Sequence, residues 1–455
     1  MPMNAAETAK LESFFQKKAE GLYLPFSNET FKKYDVKKGL RNDDGTGVVA
    51  GLTSVGSVIG YDMIEGRKTP AEGQLRYRGY SLCDIVKNCE KEKRFGFEEV
   101  AYLLLFGQLP DKEELKMFSK LIGRLRPLPT GFAEDMILKA PSSDIMNKLA
   151  RSVLASYSYD EEPDEITAEN LLRQSVELIA RLPVMAAYGY AAKKHYFDGD
   201  SLILHSPQEN LSTAENFLYM IRRDNKYTKE EAEMIDVLLM IQAEHGGGNN
   251  SAFTTRVVSS SGTDTYSAIA AAIGSLKGPK HGGANAKVMS MMENIKENVS
   301  DWEDREEVEA YLAKILRKEA FDGSGLVYGM GHAIYTKSDP RAMLLKERAE
   351  RLAKKKKNFY NEFKLYSLIE ELTPKVFSDI KGSNKPMCAN VDMYSGFVYK
   401  MLGIPSEMYT PLFAVARVVG WSAHRLEETL GCTRIIRPAY KWIVTNKEYV
   451  SLKER

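Results

Sequence analysis

Residues 301–320 read DWEDREEVEAYLAKILRKEA, and in this stretch Val308, Tyr311, Leu312, Ile315 and Leu316 recur at helical spacing. That spacing gathers five apolar side chains on one face and leaves the charged ones for water, as on a surface helix packed against a core. Most of the chain repeats the pattern. Strand-like alternation is scarce outside Val48–Tyr80, where Val48, Val49, Val55, Val58 and Ile59 lie between glycines as short strands joined by turns would. The expected fold is all-α, with one short β element near the N-terminus.

Composition narrows the function. The 455 residues include 63 Lys+Arg and 62 Asp+Glu, a formal charge of +1, which argues against a nucleic-acid or membrane-surface protein. Cys83, Cys89, Cys388 and Cys432 form no C-x-x-C pair and are too sparse for a disulfide framework, so a reducing cytoplasm is expected. No run reaches the roughly 18 apolar residues of a membrane span. The acidic stretch Tyr157–Glu165 reads as an exposed loop, and Lys354–Lys357 as a solvated helix end.

Three of the six histidines sit beside glycines, in EHGGGNNS (244–251), GPKHGGAN (278–285) and GMGHAIYTKSDPRA (329–342). None has metal-ligand spacing, so no metal is expected. The helical pattern Glu230–Gln242 ends at Gly246–Gly248, which places His245 at a helix C-terminus, where the dipole favours the protonated ring. His281 follows the Gly278-Pro279 break and precedes the face Val288, Met292, Ile295 and Val299. A helix N-terminus there favours neutral imidazole, suited to hydrogen-bonding an enolate oxygen.

Asp339-Pro340-Arg341 reads as N-cap, N1 and N2 of a helix, which explains Asp339 but not Arg341. Arg417 is the only charged residue in PLFAVARVVGWSA (411–423), so it is either half of a core ion pair or a carboxylate ligand. Asp392 in NVDMYSG (390–396) is either an N-cap or a general base whose pKa its apolar neighbours raise.

Together with LRYRGYSL (75–82), RLPVMAAYGY (181–190), NLSTAENFLYM (210–220), PLFAVARVVGWSAH (411–424) and Arg437-Pro438, these motifs resemble the citrate synthase family from about Lys38 to Pro438. The resemblance implies a large helical domain (38–283 and 399–455) interrupted by a smaller helical one (284–398), with residues 1–37 as an extension. It also implies at least a homodimer. The implied reaction condenses acetyl-CoA with oxaloacetate and hydrolyses the citryl thioester without a metal or permanently bound cofactor; the alternatives are 2-methylcitrate synthesis from propionyl-CoA and a non-catalytic, metabolite-binding member of the family.

In that reading Asp392 is the base that deprotonates the acetyl methyl, His281 hydrogen-bonds the enolate, and His332 polarises the oxaloacetate carbonyl. His245, Arg341 and Arg417 hold oxaloacetate carboxylates, Arg437 reaches in from the neighbouring subunit, and Gly329 and Gly331 lie in a loop around the CoA adenine. The chain departs from the family at Gln242, where a histidine is frequent, at Glu244, where Asp is common, and at Met387-Cys388-Ala389, where an aromatic-Pro pair is frequent.

Overall fold

The computed structural model describes residues 5–19, 26–65, 67–383 and 385–455; residues 1–4 and 20–25 of the expected N-terminal extension lie outside them. The chain divides into two units. One comprises Met1–Ala50 and Arg437–Arg455, with helices α1 (Ala5–Ala19) and α2 (Asn28–Lys33) followed at the other end of the chain by an irregular C-terminal segment. The other, Gly51–Ile436, contains the sheet and the remaining helices.

The sheet is antiparallel, in the order β1 (Gly56–Ile64), β2 (Arg67–Tyr77), β3 (Tyr80–Ser81), with Val58 opposite Leu75 and a bulge between Ile59 and Tyr61. It starts later than the valine pattern suggests. Val48 and Val49 are exposed and outside any strand, because the ladder starts at Gly56, which faces Tyr77, the last residue of β2.

Helices then follow as α3 (Leu82–Glu92), α4 (Phe97–Phe106), α5 (Lys112–Leu125), α6 (Ile145–Ser156), α7 (Ala168–Asp198), α8 (Thr213–Ile221), α9 (Lys229–Gln242) and α10 (Asn250–Ser259). The second half adds α11 (Thr265–Lys277), α12 (Ala284–Asn298), α13 (Arg305–Leu316), α14 (Pro340–Lys355), α15 (Tyr360–Lys381), α16 (Val391–Met401) and α17 (Tyr409–Gly431). In α13 the five residues of the opening pattern are all buried, behind an Asp304 N-cap that accepts from the Glu306 and Glu307 N–H groups. The helix is shorter than residues 301–320 because that cap ends the preceding turn.

Helix α17 is apolar almost all round, with every residue from Ala414 to Leu426 buried, so it can only be a central element. It packs against α4, α7, α9, α10 and α11, while α14 and α12 pack on α16. The stretch Tyr157–Glu165 is exposed at most of its positions, as expected, with one exception among its acidic residues. Asp160 turns inward and accepts from Arg173 Nη2 (2.6 Å), Gln174 Nε2 (2.9 Å) and the Tyr266 hydroxyl (2.7 Å).

The sheet serves as a bed for the loop between His332 and α14. A Cβ added at Gly60 would lie 2.5 Å from the Ile334 carbonyl oxygen, and one at Gly73 only 2.0 Å from that of Ser338. Gly73 N–H donates to Ser338 Oγ (3.0 Å) and Thr336 Oγ1 donates to the Gly60 carbonyl (3.2 Å), so the loop lies flat on strands that have no side chains at those points. Gly73→Ala must push backbone against backbone. It is expected to destabilise the fold by ~1–3 kcal/mol, the usual cost of overpacking, measured by urea denaturation.

Candidate active site

Tyr77, fully buried on β2, sets where α9 stops. Its hydroxyl lies 3.0 Å from the Met240 carbonyl and 3.1 Å from that of Glu244, and accepts from Glu244 N–H (3.3 Å). One phenol thus satisfies backbone groups that the end of a helix leaves open. His245 follows directly, before Gly246 at φ +80°.

Arg417 meets the same helix end from α17. Its Nε donates to the Gln242 carbonyl (2.6 Å), its guanidinium lies 4.7 Å from the Phe413 ring centre, and its Nη2 is buried without a partner. Arg417 makes no ion pair among the described residues, which disposes of the core ion-pair alternative and leaves a charged donor open. Burial lowers its pKa to about 10, with Glu244 opposing, so it stays cationic at neutral pH.

His245 Nε2 is also buried and unpaired, and its ring stands edge-on to His332 and Tyr335, with centroids 5.2 and 5.6 Å away. Its protonation differs from the sequence expectation. Burial, then Arg341, His332 and Arg417, push its pKa well below the ordinary value, so the ring is neutral. A helix dipole at the C-terminus contributes a partial charge; desolvation and two nearby guanidiniums outweigh it.

His332 is held by its own loop. Nδ1 accepts from the N–H groups of Ile334 and Tyr335, both at 3.1 Å, and the ring stacks on Tyr335 with centroids 4.6 Å apart. A nitrogen that accepts carries no proton, so the ring proton sits on Nε2, which is a donor.

His281 lies three residues before α12 and bonds through Nε2 to Ser251 Oγ (2.9 Å). Burial, assisted by Arg417, lowers its pKa to about 4, so it is neutral as expected, though desolvation does more than the helix end. Ser251 Oγ also accepts from Trp421 Nε1 (3.1 Å) and stands 3.0 Å from Asn249 Oδ1. Trp421 can only donate and Asn249 Oδ1 can only accept, so the single hydroxyl proton goes either to Asn249 or to His281. Asn249 Oδ1 keeps the Ala252 N–H in both cases (3.0 Å), and the proton can turn towards His281 without orphaning it. His281 Nδ1 then bears the hydrogen and becomes a donor.

Asp392 is not the N-cap of α16. Asn390 is, accepting from Asp392 N–H at Oδ1 (2.9 Å) while its Nδ2 donates to the Gly331 carbonyl (2.8 Å). The Asp392 carboxylate is left free of capping, and burial raises its pKa to about 6 against the pull of Arg341. Arg341 is gripped by its own N-cap, Nε and Nη2 donating to Asp339 Oδ1 (3.1 Å) and Oδ2 (2.7 Å). Asp339 therefore both caps α14 and aims its arginine.

Gly329 and Gly331, at φ +84° and +85°, carry the backbone from α13's side to His332. Gly331 N–H donates to the Cys388 carbonyl (2.8 Å) and Asn390 N–H to the Gly329 carbonyl (2.9 Å), around a bridge between Met330 and Ala389. A side chain at Gly329 would strike Met393 Cα at 3.0 Å, so His332 and Asp392 ride on two cross-bonded backbone segments.

The field of one group on another links His245, His281, His332, Arg341, Arg417 and Asp392 in a single cluster. Arg437 is exposed and belongs to the terminal unit. Among the described residues no group of three or more His, Cys, Asp or Glu is placed to hold a metal ion.

One layer behind the cluster escaped the sequence reading. Glu244 is completely buried; its Oε1 accepts from His424 Nε2 (2.9 Å), and His424 Nδ1 accepts from Arg256 Nη2 (2.8 Å). Arg256 also bonds Glu427, and Glu428 at 2.9 Å. Although burial opposes it, His424 and Arg417 hold the Glu244 pKa below the usual carboxylate range. Cβ atoms at Gly56 and Gly420 would lie 2.8 Å from Glu244 Cγ and 2.4 Å from Oε2, so two glycines make room for this carboxylate. The usable signal was a histidine at the end of an apolar helix run, GWSAH.

Comparison with known proteins agrees with this geometry. Residues 44–439 match the family described as citrate synthase, C-terminal domain. The chain belongs to the citrate synthase family. It is an acyltransferase-type condensing enzyme. It is 35% identical over 375 residues to the citrate synthase of Haloferax volcanii, covering 81% of this chain and 89% of that one. It is 34% identical over 430 residues to 2-methylcitrate synthase 1 of Corynebacterium glutamicum, covering 92% and 98%. The fold matches the citrate synthase of Thermoplasma acidophilum, solved as a ternary complex with carboxymethyl coenzyme A and oxaloacetate, with TM-score 0.74, 27% identity and coverage of 92% and 99%.

Neutral His245 and His281 make stability pH-dependent. Both have folded pKa values below the unfolded value of about 6.5, so the unfolded chain binds more protons in acid and stability falls as pH drops below about 6.5. Each should remove ~1.4 kcal/mol per pH unit until its folded pKa is reached. Urea denaturation at pH 7 and pH 5 should show the loss, and His281→Gln should make the curve shallower; an identical slope in that variant would refute a neutral His281.

Proposed function

We propose that this chain condenses acetyl-CoA with oxaloacetate and hydrolyses the resulting citryl thioester to citrate and CoA. The observation that carries the reading is the pairing of Asp392, a carboxylate raised to about 6 and free of capping, with His332, whose Nε2 is a fixed donor. Asp392 takes a proton from the acetyl methyl, and neutral His281 donates from Nδ1 to the enolate oxygen as charge develops there. A methyl so weakly acidic needs base and donor acting together. His332 Nε2–H polarises the oxaloacetate carbonyl for attack by the new carbanion.

Arg417 Nη2 and His245 Nε2, both buried and unpaired, are supported as ligands of the oxaloacetate carboxylates, together with Arg341. A carboxylate satisfies both donors and removes the cost of leaving them dry. The loop at Gly329 and Gly331 receives the CoA adenine. On this reading 38–283 with 399–455 form a large domain and 284–398 a small one, and closure between them excludes water until condensation is complete.

Arg437 completes the site of a second copy. After it in the chain, Tyr440, Trp442 and Tyr449 are 93%, 72% and 84% exposed, apolar surface that suits burial in a homodimer. A propionyl-CoA reading stands second, favoured by the 2-methylcitrate synthase relative of equal similarity. One methylene in an apolar pocket changes discrimination by only about 1–3 kcal/mol.

Purified protein with oxaloacetate should release CoA thiol from acetyl-CoA, with a higher kcat/KM than from propionyl-CoA; the reverse ratio would establish the second reading. Asp392→Asn is expected to lower kcat by about 10²–10⁴ with oxaloacetate binding retained. Because the base acts unprotonated, the wild-type rate should fall below about pH 6 and not above it.

Glu244→Gln removes the charge facing Arg417 and His424. It should raise the oxaloacetate KM more than it lowers kcat, since Glu244 positions the ligands and does not touch the reacting atoms. Glu244→Asp, the residue common in relatives, should restore KM.

A further inference from the structure

Tyr335 takes no part in the proposed chemistry, yet its ring meets three of the side chains on the oxaloacetate side. It stacks on His332 with centroids 4.6 Å apart and planes 26° from parallel. The His245 ring stands edge-on to it at 5.6 Å, and Arg341 Cζ lies 5.9 Å from its centre, at the outer reach of a cation–π contact. The acetyl side has other neighbours: His281 bonds Ser251, and Asp392 sits in the first turn of α16.

The tyrosine is itself held fast. It is 1% exposed, and Cβ atoms added at Gly73 and Gly60 would lie 2.9 Å from its Cδ1 and 2.8 Å from its Cα, so it rests against two points of the sheet that carry no side chain. Its hydroxyl contributes little. It reaches the Gln74 carbonyl at 3.5 Å, the limit of a hydrogen bond, and burial keeps the phenol far above its ordinary pKa and therefore uncharged beside Arg341.

His332 has a use for such a wall. The N–H groups of Ile334 and Tyr335 hold Nδ1, but two bonds to one atom do not fix the plane of the ring, and a swing about that atom carries Nε2 away from whatever it donates to. A misplacement of about 1 Å at a reacting group can cost on the order of 100-fold in rate. We propose that Tyr335 is a positioning residue for carbonyl polarisation: the face of its ring, and not its hydroxyl, fixes the plane of His332 and so the direction of Nε2–H. The inference rests on the proposed reaction and makes it more specific. A keto group is present only before condensation, since in the citryl thioester the same carbon already bears a hydroxyl; Tyr335 therefore serves the first step and not the hydrolysis.

Kinetics of the full-length enzyme, with circular dichroism and thermal unfolding to report folding, test this. Tyr335→Phe keeps the ring and should hold kcat for CoA release from acetyl-CoA and oxaloacetate within about 3-fold, whereas Tyr335→Leu should lower it about 100-fold. Tyr335→Met carries the same expectation should the leucine variant fail to fold. CoA release from citryl-CoA supplied directly should change less than about 3-fold in all of them. The infrared keto stretch of bound oxaloacetate should lie below that of the free acid in the wild type and in Tyr335→Phe, and return most of the way to the free value in Tyr335→Leu. An unchanged stretch and rate in the leucine and methionine variants, an equal loss in condensation and in citryl-CoA hydrolysis, or a loss in Tyr335→Phe as large as in Tyr335→Leu would each overturn the role of Tyr335. A wild type that neither shifts the keto stretch nor releases CoA would instead overturn the reaction itself, and this role with it.

Discussion

The hydrogen bond from Arg417 Nε to the Gln242 carbonyl is the contact on which the cluster of histidines, arginines and Asp392 depends. It ties the central helix α17 to the end of α9, and it fixes a guanidinium where water cannot reach. A buried cation is costly unless something compensates it. Here the compensation is divided: one donor goes to a helix carbonyl, the field of Glu244 supplies the opposite charge, and one donor stays open. That incompleteness leaves a buried, charged donor open, which the proposed reading fills with a substrate carboxylate.

The same charge orders its neighbours. Burial first, then Arg341, His332 and Arg417 for His245 and Arg417 for His281, keep both rings unprotonated, so the cluster holds two cations among neutral rings. Neutral imidazoles can donate hydrogen bonds without adding to the repulsion between the two guanidiniums. Behind them, a chain of bonds runs from Glu244 Oε1 through His424 and Arg256 to Glu427 and Glu428, while Glu244 Oε2 is buried without a hydrogen-bond partner among the described residues. The overall charge of +1 gives no hint of this local concentration.

Local patterns were readable where a short-range rule decides. The buried face of α13, the Asp339-Pro340 start of α14 and the position of His281 before α12 all follow from spacing, capping and a Gly-Pro break. His245's position was readable too, but its charge was not, because desolvation and two arginines more than 95 residues away in sequence decide it. Asp392 was ambiguous because Asn390 and Asp392 both suit a cap; the bond from Asp392 N–H to Asn390 Oδ1 shows that Asn390 caps the helix, and the Asn390 Nδ2 bond to the Gly331 carbonyl holds that side chain in place. Glu244 and the glycines at 56 and 420 could not be connected from sequence, since the space they share is assembled from three separate elements.

The bridge between Met330 and Ala389 carries a consequence for how such a chain can diverge. His332 and Asp392 sit at the two ends of paired backbone, so a replacement at Cys388 that moves its carbonyl also moves Gly331. On the proposed reading, a lineage adapting this segment to a different acyl group must accept or correct a displacement at His332. The two halves of substrate recognition are mechanically one trait, and their histories of substitution should be epistatic.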